Sequence, residues 1–223
     1  IEDVLRTRGY VALDGVLGSS ALHQLLSASS ELAPSMTRGA TEASGDSSAA
    51  RSDTVVRLPA TSREWAHPLS LPLRHGIEAL RSFMLEQVHA SLLKLQAEEL
   101  PPVWPREELQ YACYGHGAQY TPHEDASVAT GEGGGGGEGG GGGGEGGGGG
   151  GTLRRVWTAI YYATDPEDGW ADEQASGGAL RLWPAGSYEA TVIAPLADRL
   201  VVFDSRLLHE VTPVKRAAGR RCA

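Results

Sequence analysis

An apolar stripe between Leu73 and Leu100 predicts a long amphipathic helix. Apolar residues recur there at every third or fourth position, namely at Ile77, Leu80, Met84, Val88, Leu92 and Leu95. Such a stripe is stable only when another layer covers it. We therefore interpret this helix as a support that lies on a sheet.

The first forty residues predict a strand followed by a second helix. Residues 9–13 form an apolar run that ends at the turn signal Asp14-Gly15. A helix with leucines on one side is expected from residue 19 or 20, and Pro34 ends it. Residues 35–52 are small and polar, which predicts a mobile loop.

The pattern changes after Pro101-Pro102 to short apolar runs separated by turn residues. Together with a run at residues 53–58, the predicted strands are residues 109–114, 156–162, 179–183, 190–193, 199–203 and 209–214. Short strands at this spacing, after a helical N-terminal part, are typical of a jelly roll backed by helices. The expected fold class is α+β, a double-stranded β-helix (jelly roll) with supporting N-terminal helices.

One low-complexity insert accounts for the unusual glycine content. Eighteen of the 31 glycines lie between Gly131 and Gly151, interrupted only by three glutamates. The tract matches the GxGxxG pattern of dinucleotide-binding proteins in more than one register. No helix is predicted after it, so we reject that interpretation. We expect residues 131–151 to form a disordered Gly/Glu-rich loop within a single domain that spans residues 1–223.

Composition excludes several classes of protein. The chain has 19 lysines and arginines against 28 aspartates and glutamates, a net charge of -9, which argues against a nucleic-acid partner. No apolar run reaches the roughly 18 residues that span a bilayer, so no membrane partner is expected. The sequence gives no indication of the oligomeric state.

The cysteines and the chain ends bear on localisation. Cys113 and Cys222 provide no disulfide framework, and we interpret them as thiols of a reducing compartment. The start, Ile1-Glu2-Asp3, lacks the features of a signal peptide, so a cytoplasmic or nuclear protein is expected. Because the chain begins without Met and stops within a strand-like run, we expect a fragment whose C-terminal strand is truncated.

Three side chains at two places in the chain form a candidate metal site. His123 and Asp125 are two residues apart, so on an extended segment both side chains lie on the same face. His209, at the start of a predicted strand, adds a second histidine. Two histidines and one carboxylate on one side of an octahedral ion leave three adjacent positions open, as non-haem Fe(II) oxygenases require. Taken alone, the His123 and Asp125 pair is also compatible with an ordinary surface pair. His209 alone is compatible with a strand-end histidine that binds no metal.

The surroundings of these residues resemble the Fe(II)/2-oxoglutarate-dependent prolyl hydroxylases. Residues 114–125 read Tyr-Gly-His-Gly-Ala-Gln-Tyr-Thr-Pro-His-Glu-Asp, which matches the family pattern Tyr-x-x-Gly-x-x-Tyr-x-x-His-x-Asp. Residues 160–162 and 177–184 resemble the next two strands of that family, and residues 203–213 resemble the pair that carries the distal histidine. The Ala-Cys-Tyr, Gly-Gly-x-Leu-Arg and His-Glu-Val-x-Pro motifs are most similar to the hypoxia-inducible-factor prolyl hydroxylase branch.

The resemblance extends to the N-terminal half and has two departures. Residues 45–53, which include Gly-Asp-Ser-Ser and Arg-Ser-Asp, look like the family's mobile loop over the substrate peptide. The glycine tract begins six positions after Asp125, where the family usually has a short turn. The spacing from the distal histidine to the cosubstrate-binding arginine is also longer than in the closest branch, which leaves Arg220 and Arg221 as rivals.

The resemblance implies roles for residues beyond the metal ligands. For binding 2-oxoglutarate it implies Arg221, which is preferred over Arg220 because Gly219 and Arg221 have the family's Gly-x-basic spacing. It also implies hydroxyl donors to the same carboxylate at Tyr114 and Tyr162. Leu180 is implied as an apolar wall of the site. Tyr120 is expected to shape the pocket. For the substrate groove the implied residues are Arg51, Asp53 and Arg155, with Asp53 and Arg155 meeting across the groove.

The resemblance also implies a reaction. We expect a peptidyl-proline 4-hydroxylase that uses Fe(II), 2-oxoglutarate, O2 and L-ascorbate (vitamin C) on a proline-containing protein or peptide. The implied biological role is oxygen sensing in the hypoxia response. One alternative is a 2-oxoglutarate oxygenase that acts on another residue or substrate. The other is a catalytically weak binding module on the same fold.

Overall fold

The structure is a computed structural model that describes residues 1–39, 50–58, 70–97, 109–126, 156–216 and 221–223. The helices in these ranges are α1 (Glu2–Arg8), α2 (Ser19–Ser29), α3 (Leu71–Phe83), α4 (Ala90–Ala97) and α5 (Glu173–Ser176). The strands are β1 (Tyr10–Asp14), β2 (Thr37–Arg38), β3 (Thr54–Leu58), β4 (Leu109–Tyr114), β5 (Tyr120–His123), β6 (Trp157–Tyr162), β7 (Leu180–Leu182), β8 (Thr191–Ile193), β9 (Arg199–Asp204), β10 (His209–Val211) and β11 (Arg221–Cys222).

The described strands form three antiparallel sheets. Their strand orders are β1-β9-β6, β5-β10-β7-β8 and β11-β4-β3-β2. Strands distant in sequence are neighbours in each sheet, as in β1 with β9 and β4 with β11. This is the predicted α+β fold, a double-stranded β-helix with supporting helices.

The N-terminal helices cover one face of the β1-β9-β6 sheet. The shared core contains buried residues from α1, α2, α3 and the sheet, namely Leu5, Leu22, Leu73, Ile77, Tyr161, Leu200 and Val202. The predicted stripe lies on this core, because Ile77 and Val88 are buried in it and Leu80, Met84, Leu92 and Leu95 pack against it. The prediction that the long helix is a support is confirmed.

A second core lies on the other side, where strands of two sheets meet. Its buried residues come from β6 to β9 and the turn after β9: Tyr162, Leu180, Leu182, Ile193, Val201, Phe203 and Leu207. Tyr161 and Tyr162 are therefore buried in opposite cores, as alternation along a strand requires. This second core adjoins the predicted metal and 2-oxoglutarate residues.

The helical part differs from the prediction in detail. The predicted single helix is α3 and α4 joined by a π-helical segment, Met84–His89, and residues 98–100 lie outside the described ranges. An additional helix, α1, ends at Gly9, whose positive φ of 74° turns the chain into β1. Its seven residues carry too few apolar positions for a periodic signal.

The prediction of a mobile loop at residues 35–52 is partly wrong. Thr37–Arg38 form β2, which pairs with β3, and Arg51 forms a β-bridge with Tyr120. Residues 40–49 lie outside the described ranges, as does the Gly131–Gly151 tract. The last predicted strand ends at Val211 instead of residue 214, since Pro213 has no amide hydrogen for a ladder.

The two cysteines form a disulfide, which corrects the prediction of free thiols. Cys113 on β4 and Cys222 on β11 are directly opposite each other, with a Cα–Cα distance of 4.2 Å and an S–S bond of 2.10 Å. The sequence separation of 109 residues hid this pairing, because only the β4–β11 register brings the two strands together. Because the cysteines are paired, they no longer indicate a reducing compartment. Localisation in the cytoplasm or nucleus stays a prediction.

Among the described residues, no helix combines the length and the apolar character that a bilayer-spanning segment needs.

Candidate active site

Two neighbouring strands bring the predicted metal ligands together. His123 ends β5 and His209 begins β10, and the antiparallel register places them directly opposite each other. Their ring centroids are 4.2 Å apart, and the ligand atoms of His123, Asp125 and His209 all lie within 4.8 Å of one another. Within the described ranges this is the one such group of three His, Cys, Asp or Glu side chains.

Backbone carbonyls orient both imidazoles. Nδ1 of His123 lies 2.8 Å from the Thr121 carbonyl, and Nδ1 of His209 lies 2.9 Å from the Leu207 carbonyl. Because a carbonyl only accepts, each Nδ1 carries the proton and each Nε2 keeps its lone pair. Both Nε2 atoms face Asp125, at 3.6 Å from Oδ1 for His123 and 3.7 Å from Oδ2 for His209.

Burial keeps His123 neutral. Removal from water, together with the neighbouring His209, lowers the pKa of His123 to about 4. A neutral imidazole is the form that binds a metal, so His123 is ready to act as a ligand near neutral pH. Two imidazole nitrogens and a carboxylate, with ligand atoms within 4.8 Å of one another, fit an Fe(II) ion with open positions.

A hydroxyl network holds the Asp125 carboxylate. Oγ1 of Thr158, on β6, donates to Oδ2 of Asp125 at 2.7 Å and lies 2.9 Å from Oγ of Ser205. The Ser205 carbonyl also accepts from the amides of Asp125 and Ala126, at 3.0 and 2.9 Å. Sequence analysis missed Thr158 and Ser205, because nothing in their local pattern distinguishes them from other strand-end hydroxyl residues.

Arg221 is a buried cation between two tyrosines. Its register opposite Tyr114 places it inside the fold, where its exposure is 2%. The guanidinium lies over the Tyr114 and Tyr162 rings at 4.7 and 4.9 Å, and Nη2 donates to the Tyr162 hydroxyl at 3.3 Å. Arg220, the rival, lies outside the described residues.

Arg221 fits an anionic ligand. Its buried Nε has no hydrogen-bond partner among the described residues. A buried charge is costly unless it is paired, and an unmatched guanidinium donor suits a carboxylate. Burial also raises the pKa of Tyr114, although nearby Arg221 opposes this shift, so the phenol stays protonated as a donor. These observations fit the far carboxylate of 2-oxoglutarate.

Leu180 and its neighbours shape the space beside these residues. Leu180 is fully buried in the same core as Tyr162 and lies opposite Val211 of β10. The preceding Gly177 has a φ of 61°, and a Cβ there would lie 2.0 Å from the Pro213 carbonyl. Glycine is therefore required at position 177 by this close backbone approach.

The predicted substrate residues lie beside the metal ligands. Arg51 forms a two-point ion pair with Asp53, at 2.6 Å from Nε to Oδ1 and 2.8 Å from Nη2 to Oδ2. The Arg51 guanidinium lies 4.9 Å from the Tyr120 ring centroid, and Tyr120 stacks on His123 at 3.5 Å. The predicted contact between Asp53 and Arg155 involves a residue outside the described ranges, so that role stays a prediction.

Comparisons with known proteins agree on one family. The sequence model of the 2OG-Fe(II) oxygenase superfamily matches residues 109–223. A hypoxia-inducible factor prolyl hydroxylase of Caenorhabditis elegans is 35% identical over 114 residues, which cover 50% of this chain and 12% of that protein. The chain thus spans a small part of the length of this relative.

Solved structures share the fold. A prolyl hydroxylase from Trichoplax adhaerens, in complex with a hypoxia-inducible factor oxygen degradation domain peptide fragment, superposes with a TM-score of 0.69 at 24% identity, covering 100% of this chain and 84% of that chain. A Pseudomonas putida prolyl-4-hydroxylase gives 0.62 at 19% identity, covering 100% and 92%.

The superfamily match begins at β4 and ends at β11, just over half of the chain. It therefore includes Tyr114, the three candidate metal ligands and Arg221. Since the matched half contains both the candidate metal site and the candidate dicarboxylate site, the chain belongs to the 2OG-Fe(II) oxygenase superfamily.

Proposed function

We propose that this dioxygenase is a peptidyl-proline 4-hydroxylase that modifies a proline-containing protein or peptide and acts in oxygen sensing. The observation that carries the proposal is the pairing of the His123, Asp125 and His209 cluster with Arg221, buried between Tyr114 and Tyr162. The 35% identity to a hypoxia-inducible factor prolyl hydroxylase supports prolyl hydroxylation over other oxygenase reactions.

Each element of the site has a defined task in this reaction. His123, Asp125 and His209 would hold Fe(II), which when bound couples the oxidative decarboxylation of 2-oxoglutarate by O2 to hydroxylation of the substrate. Arg221 binds the far carboxylate with its planar fork of donors, and the Tyr114 and Tyr162 hydroxyls add neutral donors. The cosubstrate is thereby oriented with its keto end towards the metal ligands.

The buried wall around Arg221 excludes water. Tyr162, Leu180, Val201 and Phe203 are all at 0% exposure. In such surroundings the ion pair between Arg221 and a carboxylate is stronger than in water.

The peptide would lie on the side of the metal ligands that carries Arg51. The Arg51 and Asp53 pair and the Tyr120 ring offer an ionic and an aromatic contact within reach of His123. L-Ascorbate is proposed as the reductant that restores oxidised iron. Arg155 is proposed as a further contact on the same groove.

The test is mass spectrometry of proline-containing peptides after incubation with the protein, Fe(II), 2-oxoglutarate, O2 and ascorbate. The expected product is a peptide heavier by one oxygen atom on proline, formed with an equal amount of succinate. Asp125→Ala, which removes a ligand and no core side chain, should abolish both products while the protein stays folded.

Two other outcomes discriminate the alternatives. Succinate formation with no proline product, or with oxygen on another residue, would favour a different substrate. Peptide binding without succinate, in a protein shown to bind Fe(II), would favour a binding module. Either result would overturn the prolyl hydroxylase proposal.

A further inference from the structure

We propose that the Cys113–Cys222 disulfide is a redox-active modification site, which small thiols reach through a cleft outside the candidate active site. The cleft has a volume of about 270 Å³, and both cysteines line it. Side chains alternate along a strand, so the cysteines lie on the face of β4 and β11 opposite to Tyr114 and Arg221. A reagent in the cleft therefore approaches the disulfide from the side away from the candidate cosubstrate residues.

The exposure of the lining residues gives this cysteine cleft a rim and a floor. Ser30, Ala33 and Asp165 are exposed and form the rim. Cys113 and Cys222 form the floor with buried Ala163, and the two cysteines are 5% and 7% exposed. The disulfide is thus recessed, and each cysteine keeps a small accessible area.

The volume of the cysteine cleft suits a small reagent. Thiol–disulfide exchange requires a thiolate sulfur to contact one of the two bonded sulfurs. The cleft of about 270 Å³ exceeds the roughly 30 Å³ share of one water molecule and is just below the roughly 300–1,000 Å³ of pockets for drug-sized ligands. A thiol of a few heavy atoms fits there, whereas a folded protein domain does not.

The exchange consumes two thiols and transfers two electrons to the protein. The first thiolate attacks one Sγ, forms a mixed disulfide with that cysteine and releases the other cysteine as a thiolate. A second thiolate attacks the reagent sulfur of the mixed disulfide and releases the remaining cysteine. The two cysteine thiolates take up the two protons that the reagent thiols lost. The protein disulfide is reduced to two thiols, and two reagent thiols are oxidised to one disulfide.

Acidic side chains in one turn make the cysteine cleft selective for charge. Asp165 is exposed at the rim, and its carboxylate accepts from the Glu167 amide at 2.9 Å. Asp168 also lines the cleft, and an Arg216 nitrogen 3.6 Å away offsets part of its charge. The described lining residues include no lysine or arginine. An acidic rim repels a thiolate, and it repels most strongly a reagent that carries further negative charge.

The charge of the reagent should therefore control how fast the disulfide opens. Cysteamine carries an ammonium group that offsets its thiolate, 2-mercaptoethanol has no other charge, and glutathione has a net negative charge before its thiol ionises. After correction for their rates with a simple reference disulfide, we expect cysteamine to react fastest and glutathione slowest. Because Cys222 follows Arg221 on β11, this reaction acts on the strand that carries the candidate cosubstrate cation.

The experiment follows the opening of the disulfide in the folded full chain, at fixed pH and low ionic strength. Samples are alkylated at intervals, and mass spectrometry counts the blocked thiols. Asp165→Asn keeps an oxygen that can accept from the Glu167 amide and removes the charge. It should raise the glutathione rate about two- to fivefold, the usual size of an exposed charge contact, and change the cysteamine rate by less.

Two further variants separate charge from access. Asp172→Asn is the matched control, because Asp172 also caps a helix start and is outside the described lining of the cleft. It should leave the ratio of the glutathione and cysteamine rates near wild type. Ala33→Phe narrows the rim and should slow all three thiols. Added salt should bring the glutathione and cysteamine rates of the wild type closer together.

The contrary outcomes are equally defined. An unchanged ratio of rates in Asp165→Asn, or the same change in Asp172→Asn, overturns the inference. Opening at the rate of global unfolding, alike for all three thiols and in Ala33→Phe, also overturns it, since exchange then occurs only in the unfolded chain. If Asp165→Asn does not fold, as judged by thermal melting, the salt dependence of the wild type decides. None of these measurements needs Fe(II) or 2-oxoglutarate, so they are independent of the proposed function.

Discussion

A single guanidinium determines the chemistry of one end of the site. Arg221 is at 2% exposure, and Nε has no partner among the described residues. Such a cation is stable in the fold when an anion binds to it, so the residue links cosubstrate binding to stability. Two tyrosine rings cover its faces, which leaves the edge of the guanidinium for the ligand.

Arg221→Ala should therefore weaken 2-oxoglutarate binding strongly. Loss of a buried charge-assisted pair costs about 2–5 kcal/mol, roughly 30-fold or more in affinity. Calorimetry with Mn(II) and no O2 measures the affinity directly. Arg220→Ala is the matched control and should change it little; the reverse result would transfer the role to Arg220.

The His123 side chain gives a pH dependence to the metal-free protein. Its pKa is about 4 in the fold, mainly because of burial, against 6.5 for the ordinary side chain. Between these values the unfolded chain binds more protons, so stability rises with pH there. The free energy of unfolding should fall as the pH drops from about 6.5 to about 4, by at most about 1.4 kcal/mol per pH unit.

Urea unfolding at several pH values checks this dependence. His123→Gln removes the titrating group, so its stability should vary less across the same window. Equal slopes in the wild type and His123→Gln would show that burial of His123 does not control the dependence.

Sequence selected candidate site residues where a residue type and a spacing carried the signal, and their roles as ligands stay predictions. The pattern around residues 114–125 was sufficient to select His123 and Asp125, and the structure places both beside His209. Thr158 and Ser205 gave no such signal, since their contacts with Asp125 join segments that are distant in sequence. That adjacency arises from the tertiary fold and not from local sequence.

At the scale of elements, the short strand β11 depends on its neighbour β4. It has two residues, and it pairs with β4 through Arg221 opposite Tyr114 and Cys222 opposite Cys113. Side chains alternate along a strand, so the disulfide lies on the opposite face from Arg221 and Tyr114. The disulfide therefore holds Arg221 and Tyr114 in register from the other face of the two strands.

Reduction of this disulfide should loosen the cosubstrate site. Opening a loop of 109 residues costs about 2–5 kcal/mol of stability. We expect dithiothreitol to lower the free energy of unfolding and to weaken 2-oxoglutarate binding. The double variant Cys113→Ser with Cys222→Ser should match the reduced protein and be insensitive to the reagent. An unchanged wild type after reduction would show that backbone pairing alone holds β11.

Element prediction succeeded where an apolar run was present, including the three-residue strands β7 and β8, and it missed α1 and β2. The strand at residues 109–114 was predicted with its exact bounds, and α3 with α4 follow the predicted stripe. The π-helical segment keeps that stripe facing the core, so the apolar pattern does not reveal it. β2 has two residues and forms only because β3 lies beside it.

At the scale of the whole molecule, Ser205 joins the two described residues that flank the glycine-containing insert. Ala126 and Val156, the described residues on either side of segment 127–155, both hydrogen bond to the backbone of Ser205 at 2.9 Å. The two ends of the insert are thus held near each other by the domain itself. The closure does not depend on the length of the chain between them.

Replacement of Gly131–Gly151 by a short turn should therefore be tolerated. Closure entropy changes only with the logarithm of loop length, so stability should change by about 1 kcal/mol or less. Turnover of 2-oxoglutarate without peptide should be nearly unchanged, and any effect should appear in the apparent affinity for the peptide. Loss of Fe(II) or 2-oxoglutarate binding in the shortened variant would contradict this expectation.

The disulfide also makes a covalent ring of residues 113–222, and the glycine tract lies within that ring. A chain cut after Glu138 by a glutamate-specific protease would consequently remain one molecule, and its two pieces would separate on a gel only after reduction. One piece would carry His123 and Asp125, and the other His209. A cut protein would thus keep its metal ligands in one covalent unit under oxidising conditions and divide them between two polypeptides when reduced.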